Sequence, residues 1–285
     1  MHFELPTKNP GAVQHEVEAA SLEMFPGEDQ GFVSRSFQWA IDCFSGNCPD
    51  YQAIDARYHD LEHTLQGTLC LTRLLLGRHR TGASPALTRQ EFELSLLAIL
   101  LHDTGYLKRR EDCEGTGAKY TVTHVARSAE FARDLLLGKG FVRQDMDAVC
   151  HMISCTGVDA QLKQIPFQSE AERILGFALA TADLLGQMAA ADYVEKLPVL
   201  YSEFAEAARF SPRPVPFVAS FRSADDLMNQ TPSFWEKVVW PKLESDFGGL
   251  HKFLNQPYPS GPNEYLRRIE ANIQRLKDRR QAKAA

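Results

Sequence analysis

The feature that most constrains this chain is a run of eight apolar or small residues, LSLLAILL at 94–101, followed at once by His102 and Asp103. Thr88 precedes Glu91 by three residues, the spacing of a capping box, and predicts that a helix begins just before this run. Because such a helix is apolar on nearly every side, it has to lie buried at the centre of the fold. A charged aspartate at its end is then unfavourable unless it is paired or bound to a metal ion.

Helical patterns dominate the rest of the sequence. We expect the first thirty or so residues, rich in proline and glycine, to be irregular with one short helix, and a proline-rich break at 211–217. Ser169 and Glu172 form a second predicted capping box. No segment has a convincing strand pattern, so we predict an all-α fold in a single domain with helical additions at the C-terminus. The predicted helices are 13–24, 57–76, 88–106, 122–137, 144–155, 170–191, 193–210, 224–229, 233–247 and 263–281.

Composition limits the classes of function. The chain has 285 residues, 44% of them hydrophobic and 24% charged, which suits a globular core. A formal net charge of −6 gives no basic footprint for nucleic acid, and the apolar run is far shorter than the roughly 20 residues that cross a bilayer. The start lacks a signal-peptide pattern, and six scattered cysteines indicate reduced thiols, with Cys43 and Cys48 as the one alternative pair. We therefore expect a cytoplasmic protein without nucleic-acid or membrane partners.

Further ionisable side chains lie beside apolar helix positions. His59 and His63 are four residues apart in YHDLEHT, so on one helix they share a face. Asp183 is the only charged residue of the stretch GFALATADLLGQMAA. His124 and His151 lie on or beside the buried faces of two more predicted helices.

Each of these side chains has an ordinary alternative. A lone histidine is more often a buried polar group that donates to a carbonyl, and Asp103 can cap the next turn through Thr104 or a backbone amide. Taken together, however, side chains from five helical segments can meet only in the middle of a bundle, which is how helix bundles build metal sites. Imidazole and carboxylate ligands without thiolates suit Mn, Fe, Mg, Ni or Zn.

Three segments, YHDLEHT, LLAILLHDTGY and ATADLLGQMA, resemble the motifs of the HD-domain superfamily of metal-dependent phosphohydrolases. The resemblance implies an HD-domain-like core at about 51–205 with a central metal site, followed by a helical extension at about 218–283. By motif position it implies four shared metal ligands, two histidines that complete a second metal site, and His59 as general acid. The shared ligands are His63, His102, Asp103 and Asp183, and the additional ones are His124 and His151.

Three departures from the family patterns concern the substrate. His59 is followed by Asp60, where the phosphodiesterases have asparagine, and Tyr106 stands where the cyclic-dinucleotide branch has lysine. The last third of the chain has no clear aromatic clamp or glutamine switch for a purine. The resemblance therefore extends to the fold and the metal site and does not identify a nucleotide substrate.

The resemblance implies hydrolysis of a phosphate mono- or diester by a hydroxide held between two divalent ions, which Asp103 would bridge while His59 protonates the leaving oxygen. The expected partner is a small phosphorylated substrate, and a homo-oligomer is compatible with the sequence. Lys108, Arg109 and Arg110 can steady phosphate oxygens or form a plain solvated basic turn. Two alternatives stay open: a mixed-valent diiron oxygenase with the same six ligands, and a catalytically silent sensor that keeps the metal for stability.

Overall fold

The computed structural model describes residues 5–27, 31–157, 159–211 and 220–284, and within these ranges the chain forms ten α-helices and no β-strand. The all-α prediction is confirmed. The only extended pairing in these ranges is an isolated antiparallel bridge between Tyr51 and Arg109. The helices are α1 (Pro10–Met24), α2 (Gly31–Ser45), α3 (Leu61–Arg80), α4 (Arg89–Leu101), α5 (His124–Gly138), α6 (Arg143–Ile153), α7 (Glu170–Met188), α8 (Tyr193–Phe210), α9 (Ala224–Phe234) and α10 (Glu264–Ala284).

Helix α4 lies at the centre of the bundle, in contact with α2, α3, α6 and α7. Every residue from 94 to 101 is buried, as the apolar run predicts. The predicted capping box is present, because Thr88 Oγ1 accepts from the Glu91 amide at 3.2 Å and the Glu91 carboxylate accepts from the Thr88 amide at 2.7 Å. The helix ends at Leu101 and not at residue 106, since Asp103 leaves helical geometry (φ −106°, ψ 7°) and the next turn is a 3₁₀-helix.

Two glycines allow α3 and α7 to touch backbone to backbone. A Cβ added to Gly186 would lie 2.8 Å from the carbonyl carbon of Gln66 and from the amide nitrogen of Gly67, a separation that real side chains do not adopt. Gly67 lies one turn after His63 on α3, and Gly186 lies three residues after Asp183 on α7. The close crossing therefore brings His63 and Asp183 to the same place.

We expect Gly186→Ala to lower the free energy of unfolding by about 1–3 kcal/mol, because the added methyl group forces two packed backbones apart. The same movement should separate Asp183 from His63 and reduce metal binding. Denaturant unfolding and elemental analysis measure the two effects. Gly138→Ala is the matched control, since a Cβ at that helical position would meet no described atom within 4 Å. Equal stability of the two variants would contradict the role of the crossing.

The N-terminal segment is more ordered than the sequence predicted. Pro10 begins α1, where the missing proline N–H costs no hydrogen bond, and the Asn9 side chain caps the helix by accepting from the Ala12 amide at 3.3 Å. Val13 and Val17 are fully buried against the core. The helix predicted at 13–24 thus begins three residues earlier, because Pro10, one of the prolines that suggested an irregular segment, is the first residue of α1.

Helix α3 begins four residues later than predicted, at Leu61 instead of residue 57. Asp60 is its N-cap and accepts from the His63 amide at 2.8 Å. His59 therefore precedes the helix, and the prediction that His59 and His63 share a helix face is wrong. Their rings still lie close together, with centroids 5.3 Å apart.

The capping box predicted at α7 is only half formed. Ser169 Oγ accepts from the Glu172 amide at 3.0 Å, as expected for an N-cap. The Glu172 carboxylate does not return to the Ser169 amide; it accepts from the Gln168 amide at 2.7 Å and contacts His151.

The predicted helices 224–229 and 233–247 form one nearly continuous run. Pro232 and Pro241 lie within it, and π-helical turns follow each of them at Trp235–Val239 and Lys242–Asp246. A proline removes one i→i−4 hydrogen bond, which allows the wider turn. Most of the proline-rich break predicted before this run, residues 212–217, lies outside the described residues. Helix α9 packs against α8, and α10 packs against α7 and α9.

Two sequence-based expectations about the chain as a whole are met in part. In the described ranges no single helix has the length and apolar character needed to cross a membrane, although the bent pair α7 and α8 passes by length and composition alone. All six cysteines are free thiols, and the sulfur atoms of Cys43 and Cys48 lie 3.7 Å apart.

Candidate metal centre

Four side chains from three segments converge at the centre of the bundle. His63 comes from the first turn of α3, His102 and Asp103 from the turn after α4, and Asp183 from the middle of α7. His63 Nε2 lies 3.2 Å from Asp103 Oδ2 and 3.3 Å from Asp183 Oδ1, and His102 Nε2 lies 3.3 and 3.5 Å from the same two oxygens. The nitrogen and oxygen atoms of His63, His102 and Asp103 are close enough together to bind one ion. We call these four residues the His/Asp cluster.

The hydrogen bonds of His102 test whether the cluster suits a metal ion. Its Nδ1 lies 2.7 Å from the Ile99 carbonyl, which can only accept, so Nδ1 carries a hydrogen, and in the neutral ring Nε2 directs a lone pair at the carboxylates. His102 Nε2 and Asp103 Oδ2 are both buried and make no hydrogen bond within the described part of the chain. Two facing lone pairs in a buried site need a cation between them. The cluster fits a divalent metal held by imidazole nitrogen and carboxylate oxygen.

The pKa values of the four cluster residues indicate the same need for positive charge. Burial lowers the pKa of His63, but the carboxylates of Asp103 and Asp183 more than offset this and raise it to about 10. His102 has its pKa raised by the same carboxylates against the effect of burial. Burial raises the pKa of Asp103 and of Asp183, and the two rings nevertheless lower both below their ordinary values. Positive charge at this place is therefore strongly favoured, whether protons or a metal ion provide it.

We expect metal binding to release protons. With a pKa of about 10, His63 holds a proton at pH 7 that a metal ion has to displace. The raised pKa stabilises the metal-free fold fully below about pH 6.5, the value for an unfolded histidine, and this stabilisation is lost as the pH rises through about 10. Calorimetric titration with Mn²⁺ at pH 7 in buffers of different protonation enthalpy counts the protons. Binding without proton release would contradict the ligand role of His63.

His124 lies on the other side of Asp103. Its Nδ1 is 2.6 Å from the Thr121 carbonyl, and its Nε2 is 3.9 Å from Asp103 Oδ1. Gly105 makes this approach possible, because a Cβ there would collide with the backbone of His124. Burial lowers the pKa of His124, although Asp103 opposes this effect, so the ring favours the neutral form that a metal ligand requires. His124 is thus near the cluster without being part of its closest contacts.

The structure places His151 elsewhere. Its Nδ1 lies 2.6 Å from Glu172 Oε1, and its ring packs edge-on against Phe167. Glu172 precedes Asp183 by eleven residues on α7, a rise of about 16 Å along an α-helix. The described contacts of the His151 ring are with Glu172 and Phe167 and not with the His/Asp cluster, so they do not bring the predicted six residues together. The second ring nitrogen, Nε2, is the atom that a ligand role would use.

His59 forms a dyad with a carboxylate that the sequence analysis missed. His59 Nδ1 lies 2.6 Å from Glu203 Oε2, and Glu203 Oε1 also accepts from the Tyr58 amide at 2.7 Å. Burial raises the pKa of Glu203, but His59 and the backbone amides lower it below its ordinary value, so the carboxylate is ionised. Glu203 lies on the buried face of α8, between Leu200 and Ala207. A charged residue at such a position was the feature of the sequence that could have identified it.

Three more polar residues support the cluster without a clear sequence signal. Tyr58 Oη donates to Gln187 Oε1 at 2.8 Å, and Gln187 Nε2 donates to Asp183 Oδ1 at 3.4 Å. Tyr106 is fully buried, and its ring stacks on His59 and on His124 with centroid separations of 4.5 and 4.9 Å. These contacts fix the orientation of the side chains around the cluster.

The three basic residues at 108–110 hold a loop. Lys108 is buried, donates to the Gly115 carbonyl at 2.7 Å and lies 3.3 Å from Asp55 Oδ2. Arg109 lies 4.4 Å over the ring of Tyr51, and Arg110 donates to the carbonyls of Gly46, Pro49 and Cys48. The solvated turn is found for Arg109 and Arg110, which are exposed, and not for Lys108, which is buried; the phosphate site stays a prediction. The segment 46–55 supplies partners for all three side chains, which neither prediction considered.

A cavity of about 500 Å³ opens from the cluster. His59, His63, Asp103, His124 and Asp183 line one part of it. The remainder is bounded mainly by apolar side chains of α8, α9 and the π-helical turns. The site thus combines a buried polar end with a large apolar space.

Comparison with protein families identifies a match over half of the chain. The family model described as Npun_R2479-like matches residues 111–255, which are 145 of the 285 residues. The match includes Asp183 and Glu203 and ends before α10, and it begins after His63, His102 and Asp103. No curated protein matches the chain.

Proposed function

The chain belongs to the Npun_R2479-like family, and for it we propose the function of a metal-dependent phosphohydrolase with one divalent ion at the His/Asp cluster. The observation that carries this proposal is the facing pair of buried, unbonded atoms, His102 Nε2 and Asp103 Oδ2. Burying such a pair is unfavourable in a protein that does not bind a cation there. The resemblance to the HD superfamily supplies the reaction class.

The geometry supports one ion better than two. Asp103 directs Oδ2 toward His63 and His102 and Oδ1 toward His124. A second ion would need more ligands than Oδ1 and His124, and His151, the predicted sixth ligand, is not among the described residues that line the cavity beside the cluster. The diiron oxygenase, which needs all six ligands, is therefore less well supported.

In this proposal His63, His102, Asp103 and Asp183 would hold a divalent ion, which would supply Lewis-acid chemistry for a water molecule and a phosphoryl oxygen. The protein orients the reactants around it. Because His59 donates through Nδ1 to Glu203, its Nε2 is the atom left to exchange a proton with the substrate. The Glu203 carboxylate stabilises the protonated ring until the proton passes to the leaving oxygen. A sensor that only stores metal has no use for this dyad, which argues against the third alternative.

Purification without added metal, followed by elemental analysis and a panel of phosphate mono- and diesters, tests the proposal. We expect activity that disappears on chelation and returns in proportion to the metal bound, reaching its maximum at about one ion per chain. Mn²⁺, Fe²⁺ and Zn²⁺ are compared in separate titrations. Maximal activity only at two ions would favour the dinuclear site, and oxygen consumption without phosphate release would favour the oxygenase.

A further inference from the structure

We propose that the substrate is a phosphate monoester with an apolar organic group, which occupies the part of the cavity away from the cluster. This inference rests on the proposed function, since it assumes that the phosphate lies at the His/Asp cluster. We call this part of the cavity the apolar chamber. It is defined by Leu197, Leu200, Leu227, Val238, Val239 and Phe247.

Several hydroxyl groups of the cavity wall already use their donors, although Tyr106 Oη, near the cluster, makes no hydrogen bond within the described part of the chain. Ser154 and Thr156 donate to the carbonyls of Cys150 and Ile153 at 2.7 and 2.8 Å. In the chamber wall, Thr231 Oγ1 donates to the Leu227 carbonyl at 2.8 Å. These hydroxyl donors are therefore not available to a sugar or a nucleobase, which would have to be buried without them at a considerable penalty.

The amide side chains of the wall are engaged in the same way. Gln230 Nε2 donates to Asp226 at 2.9 Å, and Gln187 bonds Tyr58 and Asp183. A purine site usually depends on a side-chain amide that can turn to meet the base. Within the described chain, neither glutamine of this wall is free to do so without losing an existing bond.

The charges of the wall suit a single phosphate. Among the described residues that line the cavity, Lys242 is the only lysine or arginine. Lys108, Arg109 and Arg110, which the sequence offered as phosphate ligands, are bonded to the segment 46–55. Further phosphate groups, as in a nucleoside triphosphate, would meet too few cations.

The size of the space matches an organic group of moderate length. A cavity of about 500 Å³ falls within the usual range for sites that enclose a small ligand. Its walls come from α8, α9 and the π-helical turns, so the C-terminal helices supply the specificity and the central bundle supplies the chemistry. An alkyl, isoprenoid or similarly apolar group is the chemistry that these walls recognise.

Binding of n-alkylphosphonates, which are not hydrolysed, tests the chamber separately from the reaction. Calorimetry with methyl- to dodecylphosphonate, below their micellar concentrations and with the Mn²⁺-loaded protein, should give a Kd that falls about fourfold per methylene until the chamber is full. The same measurement with adenosine 5′-monophosphate should give weaker binding than with decylphosphonate. A Kd that does not change with chain length, or tighter binding of the nucleotide, would overturn the inference.

A variant that fills the chamber provides the second test. Leu227→Trp should move the limit of the chain-length dependence to shorter chains. Leu137→Trp is the matched control, because Leu137 is exposed on α5 and does not line the cavity. The same shift in both variants, or in neither, would contradict the location of the chamber.

Measuring the hydrolysis of alkyl phosphates distinguishes the proposed reaction from the proposed apolar chamber. Chain-length-dependent binding without hydrolysis of decyl phosphate would overturn the proposed reaction and leave the apolar chamber in place. Hydrolysis of methyl and decyl phosphate with equal kcat/KM would overturn the chamber and leave the phosphohydrolase in place.

Discussion

Asp103→Asn is expected to remove the metal ion and the activity together. The substitution keeps the volume of the side chain but takes away the charge that faces His63, His102 and His124. Breaking a buried ion pair on one side costs about 3–5 kcal/mol of stability. Loss of the ion should lower activity about 1,000-fold or more. Elemental analysis, thermal unfolding and phosphate release from one preparation measure the three effects.

Two variants provide controls for this experiment. Asp134→Asn removes a carboxylate that is exposed on α5, and it should change neither the metal content nor the activity. His151→Ala should also keep the metal, since His151 is bonded to Glu172 and not to the cluster. Full metal occupancy in Asp103→Asn would refute the assigned site. Loss of an ion in His151→Ala would restore the dinuclear arrangement that the sequence suggested.

His59→Ala is expected to separate chemistry from metal binding. Its loss as a general acid should lower the rate by about 100- to 10,000-fold for esters with a poor leaving group, such as an alkoxide. Activated aryl phosphates, whose leaving groups need no proton, should be affected much less. Metal content should stay near that of the unchanged protein, because His59 lies before the N-cap of α3 and beside the cluster. The free energy of unfolding should fall, since Glu203 loses its buried partner.

Glu203→Gln refines this experiment, since Glu203 acts only through His59. We expect a loss in the same direction and of smaller size, again greater for alkyl than for aryl esters, because the neutral amide no longer stabilises the protonated ring. Equal losses for both ester types in His59→Ala, or loss of metal, would make His59 a ligand or a structural residue. The proposed mechanism would then need another acid.

The sequence by itself determined the central helix and the charges that end it. A run that is apolar on all sides can only be buried, and Asp103 at its end can only be paired or metal-bound, so both conclusions depend on residues that are neighbours in the chain. The same reasoning applied to Asp183. The capping box of α4 is equally local, and the structure has it as predicted.

Tertiary structure decided which partner each ionisable side chain meets. Glu203 pairs with His59 across 144 residues, and Glu172 takes His151 away from the cluster. Such choices depend on how helices cross, and the crossing of α3 and α7 is set by the contact of Gly186 with the backbone at Gly67. No periodicity encodes a contact of this kind. The sequence therefore identifies which residues need partners. The packing of helices that are distant in sequence determines what those partners are, because the free energy of burying a charge depends on every group around it.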